Sequence, residues 1–178
     1  IIIATIILLL GFIGIQNRQN QTDEVITTVS DDEIVVLSTF TIIADMVGEV
    51  GGDKIQSISL TKPGAEIHGY QPTPEDLIQA SKADIIFENG MNLELWTNKL
   101  KASIPDGPVV RVSENIEIQY ITEDAYEGKP NPHAWMSPKQ GLIYVENIRK
   151  ALTELAPEHA DYFAAQADSY SNEIRAVD

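Results

Sequence analysis

Short β-branched runs alternate with amphipathic stretches from residue 33 onward. EIVVLS (33–38) is a continuous apolar run, the pattern of a strand covered on both faces. TIIADMVGEVGG (41–52) puts Ile42, Ile43, Met46, Val47 and Val50 on one helical stripe, with Gly51 or Gly52 to end it. KIQSISLT (54–61) reads as a second strand. TPEDLIQASK (73–82) reads as a helix capped by Thr73, with Pro74 at its first position and Asp76 three residues after the cap. ADIIFENG (83–90) predicts a third strand, and LELWTNKLKASI (93–104) a helix with Leu93, Trp96 and Leu100 turned inward. PVVRVS (108–113) and IEIQYI (116–121) predict two further strands. Past a proline-rich loop come a helix over about 138–155 and another starting near Pro157. Strands alternating with helices imply an α/β domain with a mostly parallel sheet flanked by helices. Ligands in such sheets bind in loops beyond the carboxyl ends of the strands.

The chain before residue 33 has a different character. IIIATIILLLGFIGI (1–15) is uncharged and almost wholly apolar. At about 1.5 Å rise per residue it falls short of the roughly 30 Å hydrocarbon core of a bilayer, so it predicts the hydrophobic region of an export signal or a membrane anchor. Residues 16–32 read as a polar tether, and 33–155 as the folded lobe. The chain starts without methionine and stops inside a helical pattern, so it is expected to be a fragment.

Composition narrows the chemistry. A net charge of −15 with a pI near 4.4 argues against nucleic acid and favours cations near the surface. The 178 residues contain no cysteine, which removes disulfides, thiolate zinc sites and cysteine nucleophiles from consideration. Neither GxGxxG nor GxxxxGK[ST] occurs, so no nucleotide site is indicated.

Of three histidines, two lie in proline-stiffened loops. His68 stands in KPGAEIHGYQPTP (62–74) and His133 in GKPNPHAWMSP (128–138), where Pro132 precedes the histidine and Pro138, with Ser137 as cap, opens the next helix. Stiff loops suit metal ligation, which holds imidazole nitrogens about 2.0–2.2 Å from an ion. Two readings stand at this point: loop histidines bonded to their neighbours, or two ligands of one cation. Neighbouring carboxylates are Glu66, Glu123, Asp124 and Glu127, read as solvated loop acids that raise the local cation concentration. His159 reads as a surface residue. Tyr70, Trp96 and Trp135 read as packing. An enzyme is less well supported, because neither HExxH nor a nucleophile elbow is present; a metallohydrolase using His68 and His133 stays as the enzymatic alternative.

AEIHGYQPTPEDLIQASKADIIFENGMNLELW (65–96) and KPNPHAWMSPKQGLIYVENI (129–148) together resemble the metal-binding receptors of manganese, iron and zinc ABC importers, the cluster A-I solute-binding proteins. The resemblance runs from about Glu33 to the chain end. It implies two α/β lobes joined by a long helix, with a metal ion between them. It also implies that His68 and His133 are the first two ligands, and that a Glu or His and an Asp from a second lobe beyond Asp178 complete the site. The helix of residues 156–178 would begin the linker. ITEDAYEGKPN (121–131) lacks the histidine-rich loop of many zinc receptors, so manganese is favoured, with iron and zinc as alternatives. Partners implied are an ABC permease and its ATPase, the protein acting as a monomer at the outer face of a bacterial cytoplasmic membrane or in a periplasm. Some members of this family are described as adhesins. Many are anchored through a cysteine that these residues lack.

Overall fold

The computed structural model describes residues 33–103 and 108–177. The expected export segment, residues 1–15, and the tether, 16–32, lie outside the described residues.

Four strands form one sheet: β1 (Ile34–Ser38), β2 (Ile55–Ser59), β3 (Ile85–Glu88) and β4 (Val109–Arg111), in the order β2-β1-β3-β4. All three pairings are parallel, with Val36 opposite both Ser57 and Ile85, and Phe87 opposite Val110. Strand order reverses between β1 and β3, which opens a crevice at their carboxyl ends.

Both faces of the sheet are covered, and the strand runs are accordingly apolar without a polar side. Val36 and Phe87 face a cluster with Ile43, Val47, Tyr144, Ile148 and Phe163; Leu37 and Ile86 face Leu60, Ala80, Trp96 and Leu100. The first cluster is closed by α1 (Thr41–Gly51), α4 (Pro138–Leu155) and α5 (Ala160–Ala176), the second by α2 (Pro74–Ala80) and α3 (Thr97–Ser103). Each fully buried Leu, Ile or Phe contributes about 1.5–3 kcal/mol through burial. Gly52, at φ 53°, ends α1 as expected; a Cβ there would meet the Tyr162 hydroxyl at 2.2 Å.

Several expectations are corrected. Ile42 is 40% exposed: the buried stripe of α1 is Ile43, Met46, Val47 and Val50, an i, i+3, i+4, i+7 set that leaves Ile42 off its edge. IEIQYI (116–121) is not a sheet strand. It folds back on the proline-rich loop through one antiparallel bridge, Tyr120 to Pro130, because it reaches no edge of the sheet. The helix expected over 93–104 is regular only from Thr97, although Leu93, Trp96 and Leu100 are buried as expected. Ser137 occupies the N-cap of α4 without donating or accepting a side-chain cap bond. Thr73 does cap α2, in a reciprocal capping box with Asp76.

Candidate metal centre

His68 and His133, remote in sequence, meet at the carboxyl edge of the sheet. Their ring centroids are 5.4 Å apart and the rings are inclined at 62°. His68 comes from the loop after β2, His133 from the loop that precedes α4.

The His133 loop is braced on several sides. The Asn131 side-chain oxygen accepts from the backbone N–H of His133 at 3.1 Å and sits 2.9 Å from its ring Nδ1. A backbone N–H only donates, so the amide atom facing it is the oxygen, and Nδ1 must then carry the ring proton. This tautomer leaves the Nε2 lone pair unprotonated, the form a metal requires. Burial, then repulsion from His68, holds the His133 pKa below its ordinary value, so the ring stays neutral further into acid. Behind it the ring of Trp135 stands 5.3 Å from His133 and 5.0 Å from buried Phe40. The ribbon from Gln119 adds three backbone bonds, Ile121 N–H to the Lys129 carbonyl at 2.9 Å, Gly128 N–H to the Ile121 carbonyl at 2.8 Å and Asn131 N–H to the Gln119 carbonyl at 2.7 Å.

His68 is exposed, and its loop is held mainly by side chains of the α2 and α3 region. The indole N–H of buried Trp96 donates to the carbonyl of Ile67 at 2.7 Å. Tyr70 packs its ring 5.0 Å from that of Trp96 and donates its hydroxyl to Asp76 at 2.9 Å, inside the capping box of α2. Glu66 turns its carboxylate back onto the N–H of His68 at 2.8 Å, so one of its oxygens shapes the loop.

Trp96 and Trp135 thus support the histidine loops as well as packing, a role that no local sequence pattern signals. Glu123 and Glu127 are exposed, and among the described residues no His, Cys, Asp or Glu group of three or more is arranged to hold a metal. His159 is half-buried, its ring edge-on to Phe163 at 6.0 Å, rather than free on the surface. A hollow of about 450 Å³ lined by Glu88, Lys101 and Arg111, among others, touches neither His68 nor His133. Glu88 there is satisfied by Lys101 at 2.9 Å and the Thr97 hydroxyl at 2.9 Å, so it is a compensated structural charge.

The described residues thus form a parallel α/β lobe with two imidazoles converging at the carboxyl edge of its sheet. Residues 36–178 match the family described as zinc-uptake complex component A, periplasmic, and the chain belongs to that family. It is 51% identical over 143 residues to the iron-binding protein YfeA of Yersinia pestis, covering 80% of this chain and 46% of that protein. It is 34% identical over 180 residues to the manganese ABC transporter substrate-binding lipoprotein scaA of Streptococcus gordonii, covering 97% of this chain and 57% of the relative. The solved structure of a Mn-bound periplasmic metal binding protein from candidatus liberibacter asiaticus superimposes with a TM-score of 0.71 at 37% identity, over 80% of this chain and 53% of that one. The chain spans about half the length of the curated relatives it matches.

Proposed function

We propose that these residues are the metal-capturing N-terminal lobe of an exported receptor that hands a divalent cation to an ABC permease and its ATPase. His68 and His133 supply two ligands, and a second lobe supplies the rest. The α5 helix begins the linker between lobes, and residues 1–15 direct export or anchor the protein, as a monomer, at the outer face of the membrane. Nothing is made or broken: the reading is capture and release, not catalysis. The observation that carries it is the 5.4 Å approach of two imidazoles from separate loops. Family membership and the names of its relatives support it.

Manganese is the favoured cargo. Mixed imidazole and carboxylate ligands suit it, and the loop before His133 carries acids and no histidine. Iron is the first alternative, given the name of the Yersinia relative, and zinc the second. Zinc binds such ligands more tightly than manganese whatever the physiological cargo, so competition experiments must control free metal.

The test is Mn²⁺ titration of the intact protein, its His68→Ala and His133→Ala variants compared. Each substitution is expected to weaken binding beyond the roughly 10–100-fold that losing a hydrogen-bond partner of a ligand produces. Unchanged affinity in either variant removes that histidine from the site.

A further inference from the structure

We propose that Asn89 is a positioning residue for the metal site: its side chain ties the carbonyl of Pro132 to the core, and so sets where His133 stands. This rests on the reading of His133 as a ligand. Asn89 directly follows β3, is 0% exposed, and has every polar group engaged. Its N–H donates to Glu94 Oε1 at 2.7 Å, and its carbonyl accepts from the Ser113 hydroxyl. Its Nδ2 donates to the Pro132 carbonyl at 3.0 Å and to the Gly90 carbonyl at 3.1 Å, while its Oδ1 accepts from the Tyr144 hydroxyl at 2.6 Å. The two carbonyls can only accept, so the amide has one orientation.

The surroundings leave Asn89 little freedom. Gly90, Met91 and Asn92 have φ of 85°, 52° and 64°, three left-handed residues in succession, two of them not glycine. The Glu94 carboxylate closes this turn by accepting from the N–H groups of Asn89 and, at 3.1 Å, Gly90, and it also accepts from the Thr39 hydroxyl at 2.8 Å. A Cβ on Gly90 would fall 2.3 Å from Arg111 Cδ. Tyr144, 0% exposed in the middle of α4, fixes the other side of the amide. In the 129–133 segment the Lys129 carbonyl and the Asn131 N–H bond the 119–121 ribbon, the Lys129 N–H and the Asn131 side chain bond nearby residues, and the bond from Asn89 to Pro132 runs to the sheet. It meets the chain one residue before the imidazole. Only an amide of this length both donates to Pro132 and accepts from Tyr144. Aspartate keeps the shape but has no donor for the carbonyl.

The test is a double-mutant cycle on the intact protein. Mn²⁺ affinity is read from the electron paramagnetic resonance signal of free ion, up to millimolar, for Asn89→Asp, His133→Ala and the double variant. Asn89→Asp is expected to weaken binding about 10–100-fold alone, and by less than about twofold when His133 is already alanine. An equal loss in both backgrounds makes Asn89 merely structural and overturns the proposal, as does no loss in the first. If His133→Ala itself binds Mn²⁺ normally, the metal reading fails and this one with it. If His133→Ala weakens binding and Asn89→Asp does not, only the positioning role fails. Should Asn89→Asp not fold, the same cycle on Tyr144→Phe, which releases Oδ1, decides by the same outcomes.

Discussion

The two histidine arms are built differently. His133 is half-buried: Asn131 fixes its tautomer, Trp135 and Phe40 back its ring, and its backbone is tied to the sheet. His68 is exposed on a loop tied to the α3 region by the indole of Trp96 and by Lys99, whose ammonium donates to Gln71 Oε1 at 3.2 Å. One arm is thus tied to the core through its backbone and its ring, while the other is held by side chains of the α2 and α3 region and leaves its imidazole exposed. On the proposed reading, the nitrogen of His133 is placed by the fold before a cation arrives, which lowers the ordering cost of binding at that arm.

Two substitutions separate the arms and a third calibrates them. Glu94→Ala has the largest expected effect. It strips the acceptor from Asn89 N–H, Gly90 N–H and the Thr39 hydroxyl, all inside the fold. Burial raises the Glu94 pKa even though three donors oppose the shift, so the carboxyl sits in a demanding place. A loss of about 3 kcal/mol in urea unfolding is expected, from unsatisfied buried donors and a cavity. Hydrogen exchange should quicken in the His133 loop and not in residues 66–70. Equal quickening in both loops would mean that the arms are not separately held.

Trp96→Phe makes the converse cut. The ring stays against Tyr70 while the bond to the Ile67 carbonyl is lost. The expected cost is about 1–2 kcal/mol, with hydrogen exchange rising in residues 66–70 alone. Protection unchanged there would show that the indole bond does not pin the His68 arm.

Glu146→Gln touches neither arm and calibrates the other two. Glu146 bonds Arg149 at 2.7 and 2.8 Å on the partly exposed face of α4, and this pair holds its carboxyl pKa below the ordinary value. Its stabilisation is present above the unfolded-state pKa and fades as pH falls through the lower folded value. The variant should lose about 0.3–0.5 kcal/mol or less near neutral pH, with the difference closing in acid and metal affinity unchanged. A difference that grows in acid would contradict the sign.

Much of the lobe is legible in sequence because its signals are local. Buried parallel strands write themselves as VVL and IIF, α2 announces itself through Thr73, Pro74 and Asp76, and both histidines stand out among prolines. What escapes is long-range. IEIQYI carries a strand's alternation, but whether it joins the sheet depends on which edge it can reach. Ile42 differs from Ile43 by a single helical step, and the burial boundary falls between them. Asn89 reads as part of the strand ADIIFENG. Its partners Pro132 and Tyr144 lie 43 and 55 positions away, where no local pattern points.

The most direct test is pulsed electron paramagnetic resonance on the intact protein loaded with one Mn²⁺ and labelled with ¹⁵N-histidine. Two directly bound imidazole nitrogens are predicted, one of them lost in His68→Ala and the other in His133→Ala. A tightly bound Mn²⁺ with no coupled imidazole, or with couplings indifferent to both substitutions, would contradict the paired-histidine site.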